Sequence, residues 1–241
     1  MSDGDLVGCE LRDGIWHIRI NRPRKRNALT MPMFEALAQG LEAAGQSEEA
    51  RCILVTGTGD AFCAGHDLEA FDEWPQQPGD AVPRFLHAIA DVRKPVVIAA
   101  HGAAAGIGVT WLLHADWTVT SPDTNFRLPF VDLGIVPEAA STLLLQQAVG
   151  LPRARRLLLG GEKFTGADAY QWGLVTELEA PAGVIDKAWE RAGFLASKDP
   201  ATVRRIKDWL HPRDAYHQRI DDEIREINAA VVRRRESTQA R

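Results

Sequence analysis

Two short stretches hold the residues whose types could do chemistry: Ala61-Phe62-Cys63-Ala64-Gly65-His66-Asp67-Leu68 and Gly102-Ala103-Ala104-Ala105-Gly106-Ile107-Gly108. Each follows an apolar run, and the residues around each turn are small, which lets a ligand approach the backbone closely. The second opens a predicted helix, where amide N–H groups lack helical acceptors and attract negative charge. Two such turns facing one another can aim two N–H donors at one oxygen, the chemistry of an oxyanion hole. Either turn alone reads first as close packing at a strand–helix junction. Neither carries the GxGxxG dinucleotide fingerprint or the lysine and hydroxyl of a phosphate-binding loop.

A general base would have to be a carboxylate or histidine near those turns. Glu138 follows Pro137 and has apolar neighbours in Val136, Ala139, Ala140 and Leu143, which would desolvate its carboxylate and strengthen it as a base. By position alone it is an acidic residue in the first turn of a helix. Asp67 reads as a cap or positioning residue of the first turn, and Asp132 as a maker of local turn bonds in a loop. Glu69, Asp72 and Glu73 form a solvated acidic run. Arg22, Arg24, Lys25 and Arg26 crowd one loop and, by composition, make a solvated basic surface.

The elements that must position these residues follow from periodicity. Gly14–Ile20 alternates as a strand, paired as a hairpin with Leu6–Leu11 through Arg12-Asp13-Gly14. A helix starts near Pro32 and buries Phe34, Leu37 and Leu41. Strands are predicted over Arg51–Thr56, Val96–Ala100 and Asp116–Thr120, and helices over Ala81–Val92, Glu138–Val149, Pro152–Leu159 and Gly166–Trp172. A helix after the glycine turn ends near His114, and the chain beyond Pro181 is mostly helical, closing with a long charged helix from Asp214. Residues 68–83, rich in proline and acid and containing Trp74, read as a mobile segment. Strands alternating with helices, then helices alone, predict an α/β fold with parallel strands packed on helices.

The 241 residues suit one large domain or a domain with a small appendage, with 45% hydrophobic residues to build a core. A net charge of -5 gives no support to nucleic-acid binding. Cys9, Cys52 and Cys63 form no disulfide framework and no zinc spacing, and read as small core residues. Met1–Asp5 has neither a basic nor an apolar region of a secretory signal, and the longest apolar candidate, Pro95–Leu113, contains His101 and three glycines. A cytoplasmic protein off the membrane is expected.

Taken together, Asn21-Arg22-Pro23, Asn27-Ala28-Leu29, the Phe62–Leu68 stretch, the glycine turn and Asp116 resemble the crotonase (enoyl-CoA hydratase/isomerase) family. The resemblance runs on through Pro129, Leu133-Gly134, Pro137, Gly150, Ala167–Ala169 and Gly173-Leu174-Val175. Pro129–Glu138 is most similar to the peroxisomal-type Δ3,Δ2-enoyl-CoA isomerases and their bacterial relatives. The resemblance implies a right-handed spiral of ββα units over residues 1–195, a helical C-terminal oligomerisation region over 196–241, and a homotrimer or hexamer. It implies an acyl-CoA substrate, with coenzyme A as part of that substrate and no metal or dissociable cofactor.

Carried onto this chain, the family's oxyanion donors are the amides of His66 and Ile107, and the isomerase base is Glu138. Arg24 and Arg26 would meet CoA phosphates. Ala28 and Ala64 would offer backbone groups to its adenine and pantetheine arms. Gly65, Asp67, Leu68, Gly106 and Pro129 complete the implied substrate site. The two glutamates of the family's hydratases fall on Thr110 and Phe130, which supply no carboxylate. Many relatives carry a Phe/Lys tail that clamps CoA on a neighbouring subunit. Here Arg233-Arg234-Arg235-Glu236-Ser237 precedes Arg241, and the helix from Asp214 either replaces that clamp or leaves it lost. Moving a double bond needs one base and a stabilised dienolate, so isomerisation is the leading reading. A hydratase with unusual groups, another enolate-forming thioester enzyme such as a hydrolase, and a silent acyl-CoA-binding scaffold stay open beside it.

Overall fold

The Asp13-Gly14 dipeptide takes positive φ at both residues (52° and 75°), the two-residue turn whose twist matches that of a hairpin. It joins β1 (Val7–Arg12) to β2 (Ile15–Ile20) in antiparallel register, Arg12 opposite Ile15 and Val7 opposite Ile20. This is a computed structural model, and it describes residues 6–239. The Met1–Asp5 reading, the chain end at Arg241 and the side chain of Asp72 lie outside the described residues.

The chain continues through α1 (Met31–Gln46), β3 (Cys52–Gly57), α2 (Ala81–Asp91), β4 (Val96–Ala100), β5 (Ala103–Ala105), α3 (Ile107–Thr110) and β6 (Trp117–Thr120). Then come β7 (Asn125–Arg127), α4 (Phe130–Leu133), α5 (Ser141–Val149), α6 (Leu151–Gly160), β8 (Lys163–Thr165), α7 (Gly166–Trp172) and β9 (Glu177–Leu178). Helices α8 (Val184–Ala196), α9 (Pro200–Leu210) and α10 (Arg213–Gln239) follow. One sheet has the order β1-β2-β3-β4-β6-β9, parallel from β2 onward. A smaller sheet, β5-β7-β8, stands beside it.

The larger sheet is covered on both faces, which explains why β3 and β4 are apolar at nearly every position. Ile53, Val55, Val96 and Ile98 point into the main core with α1 and α2. Cys52, Leu54, Val97 and Ala99 point the other way, onto Val184, Ala188, Ala192 and Ala196 of α8. The four-residue spacing of those last residues is one stripe of a helix. Helix α10 sends Tyr216, Ile220, Ile224, Ile227 and Val231 into the same main core as α1 and α2.

Several expectations are corrected. The segment around Trp74 is pinned: Trp74 and Gln76 are buried, and the Gln76 backbone exchanges hydrogen bonds of 2.8 and 2.7 Å with the Asn228 amide of α10. Three alanines of the glycine-rich turn form β5, because Ala103–Ala105 pairs in parallel with β7. Asp132 lies in helix α4 and bonds Arg127 at 2.8 Å. Cys9 is exposed on the edge strand β1, whereas Cys52 and Cys63 are buried. The helix expected from Glu138 begins at Ser141, since Ala139 and Ala140 take left-handed φ of 63° and 53°. No helix among the described residues is long and apolar enough to cross a membrane.

Candidate active site

The first turn is held from behind by side chains that the loop before α1 supplies. Asn27 is fully buried and donates to the Thr58 and Ala61 carbonyls at 2.9 and 2.7 Å, while its Oδ1 accepts from the Arg22 N–H at 2.8 Å. Arg22 in turn donates to the Ala28 carbonyl at 2.9 Å and to the Asp67 carboxylate at 2.6 Å. The Arg22 hydrogen bond holds the Asp67 carboxyl below its usual range despite its burial. The Leu29 N–H donates to Gly65 O and the Asp67 N–H to Leu29 O, both at 2.8 Å. This parallel pairing brackets His66 and turns the His66 N–H away from Leu29.

The second turn is stitched to the first. Phe62 N–H donates to Ala103 O at 3.0 Å and Ala105 N–H to Cys63 O at 2.9 Å, around a parallel bridge between Cys63 and Ala104. His66 and Ile107 each lie three residues beyond that bridge, on adjacent chains running the same way. Glycine is required where they cross: Gly65 has φ of +96°, and a Cβ on it would come within 2.8 Å of the Ala105 carbonyl oxygen. Ile107 is the first residue of α3, so its N–H has no acceptor within that helix.

Both turns open onto a cavity of about 260 Å³. Phe34, Trp74, Val82, Leu86, Phe130, Ile135 and Ile227 give it an apolar wall, and Glu138 is the one carboxylate among the described residues that line it. The Glu138 carboxylate accepts from the Thr110 hydroxyl at 3.1 Å. Burial is the main cause that pushes its pKa up to about 8; the Thr110 bond works against that shift and the negative charge of Glu223 adds to it. The turn carrying it is strained, because a non-glycine residue at left-handed φ costs about 1–3 kcal/mol and there are two in succession. His114 holds one of them, its Nε2–H donating to the Ala139 carbonyl at 2.8 Å. Burial holds the His114 pKa down to about 4, so this histidine is neutral and Nε2 carries its proton.

An apolar cavity, two backbone turns at its mouth and one desolvated carboxylate together suit chemistry at a carbon beside a carbonyl. Against this geometry, the sequence profile of the enoyl-CoA hydratase/isomerase family matches residues 10–239. The chain belongs to that family.

Among its relatives, the 1,2-epoxyphenylacetyl-CoA isomerase of Escherichia coli K12 is 32% identical over 215 residues, covering 86% of this chain and 82% of the relative. The enoyl-CoA delta isomerase 2 of Rattus norvegicus is 31% identical over 220 residues, 88% of this chain; the chain spans 56% of the rat protein. An enoyl-CoA hydratase of Alternaria alternata is 36% identical over 189 residues, covering 76% and 64% respectively. The crystal structure of an enoyl-CoA hydratase/isomerase from Pseudoalteromonas atlantica superimposes with a TM-score of 0.90 at 33% identity, over 94% of this chain and 92% of the other. The mixed α/β architecture is therefore the fold of this crotonase family, and its members act on acyl-CoA esters.

Of the residues carried over from the family resemblance, Ala64, Gly65, His66, Leu68, Gly106, Ile107, Pro129 and Glu138 line the one cavity. Arg24, Arg26, Ala28 and Asp67 stand outside its lining. Arg24 and Arg26 are exposed on the preceding loop, and Ala64 N–H donates to the Arg26 carbonyl at 2.9 Å. The His66 imidazole packs beside Phe34, ring centroids 4.9 Å apart. Sequence reading missed Val82, Leu86 and Ile227, which come from helices far apart in the chain and carry no signal beyond their helical stripes. Cys63 lies beside the site, but burial pushes its thiol up to about 12, so it is no nucleophile.

A larger groove of about 620 Å³ lies between α1, α2 and α9. Its charged residues include Arg84, which pairs with Glu42, and Lys94, which bonds the Ala44 carbonyl at 2.5 Å. None of the carried-over residues reaches it, so the smaller cavity is the candidate active site.

Proposed function

We propose that this protein is an enoyl-CoA isomerase that shifts a double bond from the 3 to the 2 position of an acyl-CoA ester. The observation that carries the reading is that one carboxylate, Glu138, lines the apolar cavity, while Thr110 and Phe130 occupy the two positions of the hydratase glutamates. Hydration needs one group to activate water and a second to protonate carbon. Isomerisation needs one group that takes a proton from one carbon and returns it to another.

In this reading the thioester oxygen meets the amides of His66 and Ile107. Glu138 takes a proton from C2 of the 3-enoyl ester, and the electron pair spreads over the dienolate onto that oxygen. The same carboxyl returns the proton to C4, leaving the double bond between C2 and C3. Gly65 and Gly106 let the two turns approach the oxygen, and Leu68 and Pro129 bound the acyl and pantetheine path. Arg24 and Arg26 meet the CoA phosphates at the surface, with Ala28 and Ala64 beside the pantetheine and adenine arms and Asp67 holding the turn. No metal or dissociable cofactor takes part. A homotrimer or hexamer in the cytoplasm completes the proposal.

The test is turnover of 3-enoyl-CoA and 2-enoyl-CoA by purified protein, with Glu138→Gln alongside. Conversion of the 3-enoyl ester that drops by about 10³-fold or more in the variant, with CoA-ester affinity kept, supports the reading. Retained turnover in the variant, or hydration of the 2-enoyl ester as the main activity, overturns it.

A further inference from the structure

By position alone Glu138 reads as an acidic residue serving the start of helix α5; a glutamate from another helix fills that role. The N-cap position of α5 is Ala140, whose methyl group can satisfy none of the orphan amides there. Glu223, 83 residues away on α10, supplies the missing acceptor. Its Oε2 accepts from the Ala140 N–H and its Oε1 from the Thr142 hydroxyl, both at 2.8 Å. Thr142 Oγ1 also accepts from Arg219, one turn earlier on α10, at 3.0 Å. Glu223 is 4% exposed, so both carboxylate oxygens are committed to this task away from water.

We propose that Glu223 is a positioning residue of the active site: it holds the strained turn that carries Glu138 and sets a buried negative charge behind it. The proposal rests on the reading of Glu138 as the base. Two glutamates thereby divide what one would otherwise do. Glu223 satisfies the start of α5, and Glu138 is left to face the cavity.

The groups that face Glu138 are few. Thr110 of α3 donates to it, Glu223 of α10 opposes its ionisation, and the buried Cys63 thiol of the first turn feels its charge. Among the cavity-lining residues, His66 has its ring against Phe34, and Arg127 of β7 is tied to Asp132. His114 holds the Ala139 carbonyl. Glu223 is faced by Arg219 and Thr142. Burial pushes Glu223 up to about 7 against these donors, so it is mostly charged where Glu138 titrates near 8, and that charge makes Glu138 harder to ionise and a stronger base. Removing the charge while keeping an acceptor must therefore lower the pH at which Glu138 titrates.

The experiment is a carbon-13 NMR titration of protein labelled at glutamate carboxyls, with the Glu138 signal assigned by its loss in Glu138→Gln. In Glu223→Gln, whose amide oxygen can still accept from Ala140, the Glu138 midpoint is expected to fall by about half a pH unit or more. An unchanged midpoint overturns the proposal. In Glu223→Ala, kcat on the 3-enoyl ester is expected to fall about 10²-fold with KM within about threefold, and Glu223→Gln to restore most of it at high pH. A Glu223→Ala enzyme with full kcat overturns the positioning role. Should Glu223→Ala fail to fold by circular dichroism, the Glu223→Gln titration decides alone. Should the unmodified protein fail to isomerise the ester, the reading of Glu138 falls, and the titration still decides whether Glu223 governs it.

Discussion

The hydroxyl of Thr110 donates a 3.1 Å hydrogen bond to the carboxylate of Glu138, joining the first turn of α3 to the turn before α5. By the family resemblance, Thr110 stands where a hydratase carries a glutamate. A hydroxyl there, 0% exposed and turned to another residue's carboxylate, leaves no second acid or base at that position. The relationship makes the site single-carboxylate in its chemistry as well as its sequence.

Thr110→Val keeps the shape and removes the donor. The bond favours the ionised form of Glu138, so its loss raises the pKa further and lowers the active fraction at neutral pH. The acid limb of kcat against pH is expected to move upward, with kcat at pH 7 falling about three- to tenfold. Steady-state rates from pH 6 to 10 check this, and an unmoved limb contradicts it.

Stability should carry the same signature with a defined sign. Folding raises the Glu138 pKa to about 8, against about 4.3 for an unfolded glutamate. The contribution is fully present below the unfolded value and is lost as pH climbs through about 8. Glu138→Gln does not lose it, so the variant's melting temperature relative to the parent is expected to rise between pH 5 and pH 8.5. A pH-independent difference in thermal melts contradicts the assignment. Glu223, pushed up to about 7 chiefly by burial, adds a slope of the same sign to both proteins; its coupling to Glu138 makes that slope smaller in the variant, which adds to the expected rise.

Gly65→Ala tests the crossing of the two turns. Its Cβ would meet the Ala105 carbonyl oxygen at 2.8 Å and would also sit on a backbone at φ of +96°. One of the turns must move, and with it the amide of His66 or Ile107. A loss of about 10²–10³ in kcat is expected, the size seen when one oxyanion donor is withdrawn. Rates near the parent value would separate these amides from the chemistry.

Away from the site, the buried Lys207 pairs with Asp116, whose side chain is a quarter exposed. Lys207 Nζ donates to Asp116 at 2.5 Å and to the Lys94 carbonyl at 2.8 Å, and Asp116 also accepts from the Val96 N–H at 2.8 Å. Lys207→Met leaves that carboxylate without its cation. With that carboxylate a quarter exposed, the change is expected to cost about 1–3 kcal/mol in urea unfolding while kcat stays near the parent value. No measurable cost would mean that solvent already screens the pair.

The strands and most helices were legible because local pattern decides them. Ile15–Ile20 alternates, β3 and β4 are short unbroken apolar runs, and the α8 stripe repeats every four residues. The three-residue strands β7 and β8 were not, since strands that short exist only by pairing with distant chain. The helix expected at Glu138 failed for a similar reason. Ala139 and Ala140 are good helix formers, and contacts from His114 and Glu223, remote in sequence, help hold them in a left-handed turn. In the site, the small-residue turns announced themselves through composition. Arg22 read as surface charge, although its partners Asp67 and Ala28 make it part of the loop's scaffold.

Helix α10 touches the cavity and several of the segments that shape it. Ile227 lines the apolar wall, Asn228 fastens the Trp74 segment, Glu223 holds the turn of the base, and His217 and Asp221 bond His87 of α2. Glu223, Ile227 and Asn228 lie within six residues of one another, so a small shift of this single helix would move the apolar wall, the Trp74 segment and the turn of Glu138 together.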